Sequence, residues 1–131
     1  MPVVGISITS VKAGRDREIS GALKVNNNAE VKGVEERELG ALGKGAAIFF
    51  EFTSKYSGNG KAEISITGEV YYLGDVPKLL KTWKKEGRLP KDVNVDVINA
   101  ILRKCLVKAI SLSEELQLPP PVPLPLMVPP E

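Results

Sequence analysis

The sequence predicts an α+β fold: a four-stranded antiparallel sheet followed by a short helix and a long C-terminal helix. Three observations carry that prediction. Apolar residues alternate with polar ones over much of residues 3–73, the period lengthens to three and four after Gly74-Asp75, and the chain closes on a tract of prolines and apolar residues that fits neither period. A single domain over residues 1–118 with a proline-rich apolar tail at 119–131 is therefore expected.

The strongest strand signal runs from Ala46 to Leu73 and reads as a hairpin. Ala46, Ile48, Phe50, Phe52 and Tyr56 share one parity on the first arm, and Ala62, Ile64, Ile66, Gly68, Val70 and Tyr72 share it on the second. A two-residue turn at Asn59-Gly60 would pair Tyr56 with Glu63 and set apolar against polar faces, because one slip of register flips every side chain. A three-residue loop, Gly58-Asn59-Gly60, with Gly60 left-handed, instead pairs Tyr56 with Ala62, Phe52 with Ile66 and Phe50 with Gly68. It also sets Lys55 opposite Glu63. The other face of the hairpin is polar except for Phe49 and Tyr71.

Upstream, Val4, Ile6 and Ile8 mark a first strand ending near Gly14-Arg15-Asp16-Arg17. Ile19, Gly21, Leu23 and Val25 mark a second, with Asn26-Asn27-Asn28 as its breaker. Residues 29–45 keep neither period and contain the charged run Glu35-Glu36-Arg37-Glu38; a bulged extension of the sheet and an exposed loop both fit.

Downstream, Asp75 is a candidate N-cap, Pro77 suits a first helical turn, and Leu79, Leu80 and Trp83 share a face opposite the lysines. Gly87 should end this helix, and Asp92 or Asn94 should cap a second one reaching about Leu116. Its expected apolar stripe is Ile98, Leu102, Cys105, Ala109, Leu112 and Leu116, widened by Val97, Ile101, Leu106 and Ile110. At about 1.5 Å per residue such a helix is roughly 36 Å long, enough to meet its own sheet and a neighbouring subunit. The tail from Pro119 to Glu131 holds seven prolines in 13 residues and favours polyproline II. Its Val122, Leu124, Leu126, Met127 and Val128 suit a segment docked on its own oligomer; disorder and recognition by an outside partner are the other two fates.

Composition bounds the chemistry. The chain has no histidine, which excludes imidazole acid–base catalysis, His-based triads and His metal ligands. It carries no glycine-rich phosphate loop, and Gly58-Asn59-Gly60 lies between strands, where it is a turn. Cys105, the only cysteine, falls on the helical stripe and reads as core, and Glu35, Glu36 and Glu38 read as a solvated run. No catalytic residue, cofactor or metal is expected, nor enzymatic activity. With one cysteine, no signal-peptide pattern at the amino terminus and no long apolar run, the reading is a cytoplasmic protein without membrane insertion. The net charge of +2 argues against nucleic acid as the main partner. Residues 1–74 balance nine basic against nine acidic side chains, while 75–118 carry nine against six, the excess lying at Lys78, Lys81, Lys84, Lys85, Arg88 and Lys91. An oligomeric adaptor whose basic helix binds an acidic partner or RNA is the alternative function that this asymmetry supports.

The order of elements, from Ile48–Tyr72 through Leu79–Trp83 and the Gly87-Arg88-Leu89-Pro90 turn to Val95–Leu102, resembles the SecB family of protein-export chaperones. The resemblance implies an ATP-independent holdase, a homotetramer assembled as a dimer of dimers, that binds unfolded polypeptide clients in apolar surface grooves. Phe49, Tyr71, Trp83 and Leu118 are the candidate polypeptide-binding residues. Bacterial members contact an export motor ATPase through an acidic sheet surface and a polar tail. Here the sheet half is neutral and the tail proline-rich, which departs from that pattern, so the export motor and other clients, an unstable antitoxin among them, both stay open as partners.

Overall fold

A computed structural model describes residues 3–122. Strand β1 (Val3–Arg15) and strand β2 (Ser20–Glu38) are followed by a 3-10 turn (Gly40–Leu42), strand β3 (Lys44–Tyr72), helix α1 (Val76–Glu86) and helix α2 (Lys91–Glu115). β3 is 29 residues of continuous strand that doubles back at its Ser57–Gly60 segment. A Cβ on Gly45 would stand 2.5 Å from the Tyr72 carbonyl oxygen, and one on Gly68 would stand 2.9 Å from the Phe50 ring. A straight strand would hold Gly45 and Tyr72 roughly 90 Å apart at about 3.3 Å per residue. β1 pairs antiparallel with the return arm and β2 antiparallel with the outgoing arm, so the sheet has four strand segments in the order β1, return arm, outgoing arm, β2.

Parity holds along both arms. Every even-numbered residue of β3 from Ala46 to Tyr56 and from Ala62 to Tyr72 is buried, as the three-residue loop requires, and Gly60 has φ 118°. Both helices lie on this even-numbered face. The expected Lys55–Glu63 contact does not form an ion pair among the described residues.

Asn26-Asn27-Asn28 does not break β2. The three residues pair with Lys55, Ser54 and Thr53, and the strand continues to Glu38 with a bulge between Val31 and Gly33. The local turn preference of asparagine loses because Asn27 is satisfied across the sheet: Ser54 Oγ donates to Asn27 Oδ1 at 2.7 Å. Residues 29–45 are thus a bulged extension of the sheet closed by a 3-10 turn. β2 is an edge strand, and its bulge and exposed Glu30, Lys32, Glu35, Glu36 and Glu38 guard against edge-to-edge pairing.

α1 is capped as its sequence predicts. The Asp75 carboxylate accepts from the Lys78 backbone N–H at 3.1 Å, Pro77 sits in the first turn, and Gly87 ends the helix at φ 68°. α2 differs from expectation at both the cap and the stripe. Pro90, with φ −53°, occupies the N-cap position, and neither Asp92 nor Asn94 caps the helix through a side chain. The Asn94 N–H instead donates to the Pro90 carbonyl at 2.8 Å, and Asp92 sits in the first turn, where its charge complements the helix dipole. The buried row is Val93, Val97, Ile101, Cys105, Ala109 and Ser113, a strict step of four. Ile98, Leu102, Leu106 and Ile110 form a half-buried row beside it. Cys105 and Ala109 of the expected stripe are buried, joined by Val97 and Ile101, whereas Ile98, Leu102, Leu112 and Leu116 are half-buried. Burial pushes the Cys105 thiol up to about 11, consistent with a core role.

α2 ends in a Schellman motif: Gln117 is left-handed at φ 56°, its N–H donates to the Glu114 carbonyl and the Leu118 N–H to the Ser113 carbonyl. This reversal turns residues 118–122 back over the sheet. Residues 123–131 lie outside the described residues.

Candidate functional site

The sheet separates the four side chains singled out from sequence. Trp83 and Leu118 belong to its helix-covered side, Phe49 and Tyr71 to its open side, so they do not form one site.

On the helix-covered side, burial changes across one strand spacing. Ile48, Phe50, Phe52 and Tyr56 on the outgoing arm are at most 2% exposed, whereas their partners on β2, Val34, Val31, Ala29 and Val25, are only half-buried. α1 leans over the far end of this margin. Leu80 and Trp83 are half-buried against the core, and with Val34, Lys81 and Lys84 they line a groove of about 510 Å³. The amphipathic pattern of α1 produces this arrangement, since Val76 and Leu79 reach the core and the lysines face solvent.

Leu118, 7% exposed, is a core residue. It begins a segment fastened to the sheet by part-buried hydrogen bonds. The Tyr56 hydroxyl donates to the Pro119 carbonyl at 2.7 Å, and Asn27 Nδ2 donates to the Pro121 carbonyl at 2.8 Å. Arg15 Nη1 donates to the Leu116 carbonyl at 2.8 Å just before them. Burial raises the Tyr56 hydroxyl above the ordinary phenol value, so it stays a donor at neutral pH.

On the open side, Phe49 is half-buried beneath the Arg37 guanidinium, 5.7 Å from its ring centroid. Arg37 also binds Glu35 and, at 2.6 Å, Glu69. The Tyr71 hydroxyl bridges Glu69 Oε2 (2.9 Å) and Ser7 Oγ (3.2 Å). Arg37 holds the Glu69 carboxyl below its ordinary range, the opposite of what a general acid needs. Beside this network Val4 and Leu42, 40% and 58% exposed, join Leu39, Arg37, Glu38 and Tyr71 around a hollow of about 330 Å³. The sequence singles out Phe49 and Tyr71 on this face and not their neighbours Arg37, Val4 and Leu42. The signal for Arg37 was its position opposite Gly45, two residues from Glu35 opposite Ala47, which becomes visible only once β2 is known to pass the asparagines.

Among the described residues no group of acidic, cysteine or histidine side chains is placed to hold a metal ion, and no helix is long and apolar enough to cross a membrane.

No protein-family model matches the chain, and no curated protein matches it in sequence. Among solved structures it is similar to the SecB-like chaperone of Mycobacterium tuberculosis in complex with a ChAD peptide from the HigA1 antitoxin. That likeness has a TM-score of 0.56 at 15% identity and covers 98% of this chain and 91% of the other. The chain has a SecB-like fold.

Proposed function

We propose that the protein is an ATP-independent, non-enzymatic holdase that binds extended apolar polypeptide segments along the β2 margin beneath α1. The carrying observation is the half-buried apolar strip of Ala29, Val31, Val34, Leu80 and Trp83, placed beside a fully buried neighbouring strand and opening on the 510 Å³ groove. Covering apolar surface contributes roughly 25 cal/mol per Å², so an extended client a few residues long gains useful affinity without specific side-chain readout. Likeness to a chaperone fold solved with an antitoxin peptide supports this reading, and favours antitoxin-like clients over an export role. The open-side hollow at Tyr71, Val4 and Leu42 serves in this reading as a second apolar contact, for a client or for a neighbouring subunit of a dimer of dimers in the cytoplasm.

The test is suppression of aggregation of a chemically unfolded client at stoichiometric ratios, with Trp83→Ala alongside the unaltered protein. Suppression that weakens in the variant is expected. Failure to suppress with any unfolded client sinks the reading, and binding that falls steeply with salt would point instead to the exposed basic face of α1.

A further inference from the structure

Charge is distributed unevenly around the groove that Leu80 and Trp83 of α1 form with Val34. The helix carries four lysines and one carboxylate. At about 3.6 residues per turn, Lys84 is rotated only about 40° from Leu80, and Lys81 stands one turn before Lys84. Both lysines are exposed and both line the groove. Lys78 and Lys85 are turned about 160° and about 140° from Leu80, out to solvent. Glu86 lies on the opposite flank, about 120° from Leu80 in the other sense. Its carboxylate is 3.8 Å from Arg88.

The groove therefore has an apolar floor and a basic shoulder. Neither Lys81 nor Lys84 has an ion-pair partner among the described residues, and none of the groove's lining residues carries a carboxylate. Glu36, on the same side of β2 two residues beyond Val34, is outside the lining and pairs with neither lysine. In an extended chain successive side chains point to opposite sides, and those two apart stand roughly 6.6 Å from one another. A client lying between Val34 and α1, with every second side chain turned to the floor, presents the intervening ones to the shoulder. Lys81 and Lys84 are about 4.5 Å apart along the helix axis, and their flexible four-carbon stems make up the difference in spacing.

We infer that the groove selects polypeptide segments in which Asp or Glu alternates with apolar residues. The apolar set fills the floor at Val34, Leu80 and Trp83, and the carboxylates pair with Lys81 and Lys84. This selectivity rests on the holdase reading of the same groove and names the class of segment that it takes. An exposed ion pair is worth roughly 1.5- to 5-fold in affinity, so two of them favour an acidic–apolar segment over a neutral one by roughly 2- to 25-fold. The apolar floor is needed for either to bind.

The test is binding of end-labelled peptides of about ten residues to the full chain, followed by fluorescence anisotropy. One peptide alternates Leu with Asp, one Leu with Ser and one Ser with Asp; a fourth has the composition of the first in two blocks, Leu then Asp. The alternating Leu–Asp peptide should bind roughly 2- to 25-fold tighter than Leu–Ser. Lys81→Gln/Lys84→Gln should remove that margin, while Lys78→Gln/Lys85→Gln, with the same loss of charge, should keep it. Equal affinities for the Leu–Asp and Leu–Ser peptides overturn the selectivity and leave the holdase reading standing. An equal loss in the two double variants overturns the assignment to Lys81 and Lys84, because the effect then comes from the net charge of the helix. A block peptide that binds as tightly as the alternating one overturns the alternation. A Ser–Asp peptide that binds as tightly as Leu–Asp overturns the role of the apolar floor and moves the site to the basic face of α1. Absence of binding by all four peptides counts against the holdase reading itself, and the selectivity falls with it.

Discussion

The two faces of β3 are held by different physics. On the even-numbered face the side chains of both arms are closed off by α2, α1 and the start of the tail, and the residues from Ile48 to Tyr56 and from Ala62 to Tyr72 meet almost entirely apolar neighbours. On the odd-numbered face a single arginine ties Phe49, Glu35 and Glu69 together, and apolar residues at its rim stay exposed. The difference separates a face that stabilises the domain from one that is free to contact something else.

The comparison breaks most readily at Ile101, which is fully buried on the helix side. Ile101→Ala should lower stability by about 2–5 kcal/mol, through lost transfer energy and the cavity left behind. Phe49→Ala on the open face should cost less despite removing a larger side chain, because part of that ring is already in water. Denaturant unfolding of both variants decides it, and equal losses would mean that the open face is as much a core as the other.

A second, smaller effect concerns how closely the sheet itself is packed. A Cβ at Gly68 would meet the Phe50 ring at 2.9 Å and crowd the Ser7 carbonyl, so Gly68→Ala forces a shift across two strands. The expected cost is about 1–3 kcal/mol, typical of overpacking. Gly14 has nothing within 4 Å of its would-be Cβ, and Gly14→Ala should stay within about 0.5 kcal/mol of the unaltered protein. Thermal midpoints that moved together in the two variants would show that the cost at Gly68 comes from backbone propensity and not from Phe50.

Much of this was legible in the sequence wherever the determinant is local. The parity of Ile48 through Tyr72 specifies both the hairpin and the loop that closes it, and Asp75, Pro77 and Gly87 mark α1 because each acts within its own turn. The misread features depend on distant partners. Asn27 looks like a turn residue until Ser54, 27 positions away, and Pro121, 94 positions away, are seen to satisfy its amide. The rotation of α2 is similar. Ile98 and Leu102 belong to as apolar a stripe as Val97 and Ile101, and which row faces the sheet is settled by packing against β3 and β1, which the period of the helix alone does not show. Trp83 and Leu118 are expected from sequence to bind polypeptide together with Phe49 and Tyr71, but that the sheet stands between the two pairs follows only from the fold.

The smallest expected effect tests the polar half of the comparison by pH. Arg37 holds the Glu69 carboxyl below its ordinary value of 4.5, with the Tyr71 hydroxyl adding to the effect. A group whose folded pKa is depressed contributes stability that is present above the unfolded value and lost as pH falls through the folded one. Stability should therefore drop below about pH 4.5 more steeply than in Glu69→Gln, which keeps an acceptor for Tyr71 but cannot ionise. The two proteins should become more alike as the pH falls and Glu69 takes up its proton. Urea midpoints measured from pH 6 to pH 3 would show it, and parallel curves would mean that the charge of Glu69 beside Arg37 contributes nothing to folding.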